Sequence, residues 1–443
     1  GITPMAPIKL SFQNDYKIDE RFGKYPADWV LHRMGDLGDF YGGATPSTQQ
    51  PSYWNGSINW LVPSDISTLP EEQKYIYDTG DKITESGLAA CSAVLLPAGT
   101  VTMSSRATLG DCVIFGKEMC TNQGFISCKC NDHINNEYLL YWIRQYKNYI
   151  SRYAAGTTFL EIGRRQFKKL RIAIPEPQEQ ALIVGTLADI DRAIEVTRKA
   201  IDQAGLVKEA LMQHLLSGRL KPDGTWRKPD EFYVDEKFGR VPKGWNYLRL
   251  RDVLNSQLEY GANTSAIPYS KDFPRFIRIT DIDDAGNLLE DTKVSLDPEI
   301  AKSYMLEEND FLFARTGNSV GRTFLYKNAY GPSAFAGYLV RAKLNQSLIL
   351  PEYLNNLCLS QYFDSFKVSM ARVGAKPNIN AREFSNFRFI LPERIDEQDQ
   401  IAKSIYQFTF LIEAKTRKIN YLIKIKKSLM QNLLTGKIRV QAE

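Results

Sequence analysis

Four side chains that could ligate a soft metal, Cys120, Cys128, Cys130 and His133, fall within fourteen residues. Thiolates and an imidazole are the donor set of a structural zinc site, but such sites close on a tight C-x2-C turn, and none occurs here. In TNQGFISCKC a strand would instead set Cys128 and Cys130 on one face as small apolar residues, so no metal is expected. A phosphate-cradling loop needs G-x-x-x-x-G-K-[ST]. The nearest string, GDCVIFGKE (110–118), has one residue too many and a glutamate where the hydroxyl belongs. In PDEFYVDEK (229–237) the residues Asp230, Asp235 and Lys237 resemble a nuclease set, but their spacing is too short for paired strands, and the related NDYKIDER ends in Arg21. The three histidines, His32, His133 and His214, stand beside no serine or cysteine motif that would make a triad. There is no [DN]-P-P-[FYW] stretch of the kind adenine-N6 methyl transfer requires. No catalytic residue and no cofactor of its own are therefore expected in this chain.

The elements that would position binding residues are clearer. The chain has 443 residues, 43% hydrophobic and 24% charged, with a net charge of +5. That suits a globular protein of several domains and permits a polyanionic partner. No apolar run is long enough to span a bilayer, and the lack of a disulfide framework fits a reducing cytoplasm. ALMQHLLSGRL (210–220) returns as SLMQNLLTGKI (428–438), and EQALIVGTL (179–187) as EQDQIAKSI (397–405), both at an offset of 218. YKIDERFGKYPADW (16–29) returns as FYVDEKFGRVPKGW (232–245). Between these anchors PSDI faces ITDI, SSRATLG faces ARTGNSVG, NEYLLYWI faces PEYLNNLC, and QFKKLRIAIP faces EFSNFRFILP. The chain is a tandem duplication.

Each copy ends in a heptad helix. One seam runs Ile183, Leu187, Ile190, Ile194, Thr197, Ile201, Ala204, Lys208, Leu211, Leu215. The other runs Ile401, Ile405, Phe408, Ile412, Lys415, Ile419, Leu422, Lys426, Leu429, Leu433. Both alternate steps of four and three and are polar at the same two steps. Gly218 and Gly436 are placed as C′ stops, and Pro175 and Pro392 break the preceding strands. Two matched seams predict that the helices pair antiparallel; the simpler alternative is that each packs on its own globular part. NEYLLYWIRQYKNYISRYA reads as one amphipathic helix with a core-facing stripe, and the remaining apolar runs read as short strands.

This arrangement resembles the specificity (S) subunit of Type I restriction-modification systems. IPEPQEQALIVGTLADIDRAI with ALMQHLLSG, and LPERIDEQDQIAKSI with SLMQNLLTG, carry the resemblance over residues 16–438, with support from GGATPS, YWNGSINWLVPSDI, SSRATLG, TNQGF and GTTFLEIGRRQF. YGANTSA and SAFAGYL in the second copy depart from the first. The resemblance implies an α+β fold, two α/β target-recognition domains in tandem pseudo-repeat separated by two long helices in an antiparallel coiled coil. The bounds expected are an N-terminal segment 1–29, recognition domains 30–175 and 245–392, spacer helices 176–220 and 393–438, and a linker 221–244. It further implies double-stranded DNA as ligand, one half of a split asymmetric site per domain, and docking of two methyltransferase (M) subunits. Restriction (R) subunits would join the full complex. S-adenosylmethionine would then belong to the M subunits and ATP with magnesium to the R subunits. Base and phosphate readout needs amides, hydroxyls and forked cations on loops. By motif position the candidates are Thr45, Ser47, Asn55, Ser64, Arg106, Thr108, Gln123, Arg164 and Arg165 in the first copy. In the second they are Arg278, Thr280, Arg315, Asn318, Ser319, Arg372, Lys376 and Asn378. A scaffold whose lobes bind proteins is the competing reading, which salt-dependent DNA binding would separate.

Overall fold

The computed structural model describes residues 8–156, 160–236, 238–370 and 377–442. It falls into two compact units, Gly1–Lys199 with Lys415–Glu443, and Ala200–Ala414. Both divisions lie inside the long helices, Pro177–Leu216 and Ile395–Leu433. Each unit therefore contains one variable segment, the first part of one long helix and the last part of the other.

In the first unit a five-stranded sheet runs in the order Gly38–Gly42, Phe125–Cys130, Val101–Ser104, Cys112–Phe115, Tyr75–Ile76. The first four strands are antiparallel and the last pair is parallel. Trp54–Leu61 joins Cys120–Thr121 and Asp81–Ile83 in a three-stranded sheet. TNQGFISCKC is thus two strands, not one, because Asn122–Gly124 turn between them, held by Gly124 N donating to Asn122 Oδ1 at 2.8 Å. Helix Asn136–Gln145 buries Tyr138, Tyr141 and Trp142 against the sheet core. The single long helix expected over 136–154 is interrupted at Tyr146 (φ −98°, ψ 20°), and Lys147–Ser151 starts a new one. The break lets aromatic residues of one run serve two surfaces: the Tyr149 hydroxyl accepts from Arg171 N at 3.1 Å, on the strand Arg171–Ile174 that pairs with Val30–Arg33.

The second unit has two four-stranded sheets. One orders Glu259–Tyr260, Leu339–Ala342, Phe311–Ala314, Thr323–Leu325; the other orders Ile267–Pro268, Val294–Ser295, Arg275–Ile277, Ser333–Phe335. Trp245–Arg249 pairs with Arg388–Pro392, as Val30–Arg33 pairs with Arg171–Ile174 in the first unit.

The helix pairs are antiparallel within each unit. In the first, Asp191 meets Lys426 at 2.7 Å, and Ile183 and Leu187 share a core with Met430, Leu433 and Leu434. Of its seam, Ile183, Leu187, Ile194, Ile419 and Leu433 are buried, and Ile190, Leu422 and Leu429 are partly so. In the second, Met212, Leu215 and Leu216 share a core with Ile401 and Ile405, while Ile201, Leu211, Phe408 and Ile412 are partly buried. Each fully buried residue of this kind contributes roughly 1.5–3 kcal/mol relative to exposure.

The copied sequence motifs are the fastenings. Gln180 Nε2 donates to Pro175 O and His133 O, both at 2.9 Å, and its Oε1 accepts from Asn135 N at 2.9 Å. Gln398 repeats this with Pro392 O at 2.9 Å, Leu348 O at 2.9 Å and Leu350 N at 2.8 Å. Glu179 takes Arg439 in two bonds of 2.8 and 2.6 Å, with that guanidinium 5.7 Å from the Trp29 ring. Glu397 pairs with Arg227, which lies 5.3 Å from the Trp245 ring. Gly218 (φ +65°) and Gly436 (φ +67°) end the helices in the left-handed region. A Cβ on either would lie 2.3 Å from Pro242 Cγ or 2.2 Å from Pro26 Cγ.

At one place the units are built differently. The second closes with a hairpin across Leu220 and Trp226. In the first, strand Ile8–Phe12 pairs antiparallel with Ile438–Ala442.

Candidate nucleic-acid interface

Several candidate loops of the first unit meet at one end of its sheets. The close approach begins at Gly43, where a Cβ would lie 1.9 Å from Asn122 O and 2.2 Å from Thr121 O. Only glycine lets GGATPS press on TNQGF so closely. Three backbone bonds then chain four segments: Ala44 N to Thr121 O (3.0 Å), Ser105 N to Gly124 O (2.8 Å) and Ile162 N to Ser105 O (3.0 Å). The Trp60 indole N–H donates to Ala44 O at 2.9 Å. On this platform the Thr45 hydroxyl donates to Gln123 Oε1. The guanidinium of Arg106 borders Gly124, and that of Arg164 donates to Phe40 O at 3.4 Å. Arg165 is exposed on the same short helix as Arg164. Ser64 opens outward on helix Pro63–Ser67, whose Pro63 also borders Gly124. Thr108 Oγ1 is buried without a partner. Between Arg106 and Thr108, Ala107 holds φ +57°, a strained conformation of the sort found where a loop is set for contact. Ser47 and Asn55 form a neighbouring pair of loops, joined by Trp54 Nε1 donating to Ser47 O at 3.1 Å, with Asn55 at φ +59°.

The second unit repeats the junction bond for bond: Ala262 N to Phe335 O (2.9 Å), Arg315 N to Tyr338 O (3.0 Å) and Ile379 N to Arg315 O (2.9 Å). Gly261 takes the part of Gly43; its Cβ would lie 2.3 Å from Phe335 O. YGANTSA therefore keeps the one glycine the packing demands, although the double glycine is gone. Arg315 lies 4.9 Å from the Tyr260 ring, its Nε buried without a partner, and the Tyr260 hydroxyl accepts from Ala381 N at 3.1 Å. Asn378 is bridged to Thr316, beside the short helix Gly317–Ser319 that carries Asn318 and Ser319. Ser319 Oγ accepts from Arg322 at 3.5 Å. Arg372 and Lys376 lie outside the described residues.

Arg278 is differently employed. Its Nε and an Nη donate to the buried Asp281 carboxylate at 3.0 and 2.9 Å, and to Thr292 O at 2.8 Å. The Asp281 hydrogen bonds push its pKa further up. This arginine closes the 278–292 loop, and Thr280 stands exposed within it.

Two tyrosines escaped the sequence reading. Tyr260 is 45% and Tyr338 56% exposed at the second junction. The shared backbone bonds set them where the first junction has Gly42 and Gly124. A repeat alignment corrected for the retained glycine would have flagged both.

The model of the Type I restriction modification DNA specificity domain matches residues 26–204 and 242–424. The Type I restriction enzyme MjaIX specificity subunit of Methanocaldococcus jannaschii is 25% identical over 443 residues, covering 98% of this chain and 99% of its own length. The StySPI specificity subunit of Salmonella potsdam is 21% identical, over 94% of this chain and 90% of its own. The Type I restriction-modification S subunit structure from M. genitalium superposes with a TM-score of 0.54 at 14% identity, over 91% of this chain and 96% of that one. That likeness is one of fold.

Proposed function

Because the chain belongs to the Type I restriction modification DNA specificity domain family, we propose that it is the DNA-recognition subunit of a Type I restriction-modification complex. It reads a split, asymmetric site, one half per unit, and itself catalyses nothing. The observation that carries this reading is the duplicated loop junction: the same three backbone bonds in both units present different side chains. The first junction offers Thr45, Gln123, Arg106 and Arg164 around glycines. The second offers Arg315, Tyr260, Tyr338 and Asn378. Equal frames with unequal donors suit two half-sites of different sequence, since bases are told apart by donor and acceptor pattern.

In this reading two M subunits dock on the chain and supply S-adenosylmethionine, and R subunits with ATP and magnesium complete the nuclease in the cytoplasm. No helix among the described residues is long and apolar enough to cross a membrane. The test is an exchange of residues 30–174 for those of another family member, followed by mapping of methylated sites in cells carrying the M subunit. One half-site should change and the other stay. Change in both halves, or in neither, overturns the assignment of one half to each unit.

A further inference from the structure

A cavity of about 510 Å³ opens in the second unit beside the last turns of the central helix and the helices Pro351–Cys358 and Gln361–Met370. Met212, Leu216, Leu357 and Leu359 line its apolar part, and Lys208 and Gln361 bring polar groups to it. Its size falls among pockets that enclose a compact organic group, roughly 300–1,000 Å³.

The first unit shows how the duplicated fold fills the corresponding place. NEYLLYWI aligned with PEYLNNLC sets Trp142 opposite Leu357. Tyr146 and Leu359 each cap the C-terminus of the equivalent helix. Trp142 is fully buried and stacks on Tyr146 with centroids 4.7 Å apart, and the Tyr146 hydroxyl donates to Leu434 O at 3.4 Å. Two aromatic rings in one copy have become two leucines in the other, and the rings' volume is open.

The charge differs in the same direction. Lys426 of the first unit meets the Asp191 carboxylate at 2.7 Å. Its repeat mate is Lys208 (426 − 218), and the mate of Asp191 is Thr409 (191 + 218), which brings no carboxylate. Glu413 acts on Lys208, yet burial outweighs it and the amine's pKa is lowered. A carboxylate arriving at this lysine would gain a partly desolvated partner, worth more than a surface pair.

We propose that this cavity is a docking socket for a polypeptide segment of a partner protein, one that inserts an aromatic side chain and sets an adjacent carboxylate against Lys208. A polypeptide is the occupant because the chain's own polypeptide supplies this same pair, ring and carboxylate, in the first unit. Gln213 at the cavity offers hydrogen bonds to a peptide backbone, and Gln361, whose Nε2 donates to Glu209 Oε1 at 2.8 Å, keeps its amide oxygen for an incoming N–H. The socket has a template in one unit and an opening in the other, so the partner contacts the two units unequally. This goes beyond the DNA-reading role and does not depend on it.

The test uses the full chain with ¹³C-methyl methionine labelling and the peptide acetyl-Ala-Trp-Glu-Ala-amide as probe. The Met212 methyl signal should shift saturably on titration. Replacing the peptide's tryptophan by alanine, or its glutamate by glutamine, should each weaken binding at least fivefold. Lys208→Met should reduce the preference for glutamate over glutamine to less than twofold. Leu357→Trp with Leu359→Tyr, which rebuilds the first unit's rings, should abolish the shift while the melting temperature is held or raised. No Met212 shift at millimolar peptide, or equal shifts with all three peptides, overturns the proposal. Because no DNA is present, its failure leaves the recognition role untouched.

Discussion

Lys426 Nζ lies 2.7 Å from Asp191 Oδ1, with the two side chains only 5% and 6% exposed. The other Asp191 oxygen accepts from the Tyr141 hydroxyl at 2.6 Å. A lysine at a heptad position is thus satisfied by an acid off the heptad series, and that acid in turn by a phenol from the variable segment. The pair ties the helix crossing to the globular core of its own unit.

Removing one member should therefore cost more than removing an ordinary seam polar group. Asp191→Asn or Lys426→Met leaves a buried charge alone and should lower stability by about 3–5 kcal/mol, measured by urea unfolding. Lys208→Met, at the repeat position, should cost far less. Equal losses at Lys426 and Lys208 would show that the pair contributes no more than a partly buried lysine without that carboxylate does.

The two glutamines should behave alike. Gln180→Met and Gln398→Met each strand backbone groups that now share three hydrogen bonds with one buried amide. Each buried group left unpaired costs about 1–3 kcal/mol, so a loss of at least about 2 kcal/mol is expected at both sites. Proteolysis of the helix starts near Pro175 and Pro392 should quicken together with it.

Gly436→Ala should destabilise by about 1–3 kcal/mol, since φ +67° is strained for alanine and the methyl would meet Pro26. Gly205→Ala, inside the central helix with nothing within 4 Å, should instead stabilise by about 0.5–1 kcal/mol. Thermal melts of the two variants should move in opposite directions.

Arg106→Ala and Arg164→Ala should weaken DNA binding by the complex with its M subunit. Removing a cation that neutralises one phosphate should flatten the plot of log affinity against log salt by about 0.9. Arg278→Ala should lower stability while leaving that slope unchanged, because its guanidinium is held by Asp281. A slope unmoved by both Arg106→Ala and Arg164→Ala would remove the phosphate role from this junction.

His32 carries a pH signature. Burial first, and then the charge of His133, lowers its pKa from 6.5. The folded state thus favours the neutral ring, and the stability this gives is present above pH 6.5 and is lost as pH falls through the lower folded value. His32→Gln should show a smaller fall in melting temperature between pH 7 and 5 than the parent chain.

The helices, their stops and the duplication were legible because each is a local or periodic signal. Gly218 and Gly436 close on prolines that the same motif repeats, so copying alone revealed them. The Asp191 partner of Lys426 was not legible: it lies off the heptad series, 235 residues from its mate (426 − 191), and its copy is Thr409. The junction was half legible. Arg106 and Gln123 stood in recognisable motifs, but Tyr260 and Tyr338 occupy positions that are glycine in the other copy, and similarity between copies hides such contrasts. Arg278 illustrates the converse, a well-placed cation whose donors a local carboxylate already holds.

The pairing of Ile8–Phe12 with Ile438–Ala442 bears on how the chain is made. Residues 200–414 form one uninterrupted run, and a nascent chain can finish that unit while the ribosome is still at work. The first unit needs residues 415–442 against a core begun hundreds of residues earlier, so its strand Ile8–Phe12 must wait, unpaired, until those residues have been made. Contacts so distant in sequence close slowly, and an open edge strand is a template for wrong partners. Of the two units, the one begun first is thus completed last, and chaperone dependence should concentrate there.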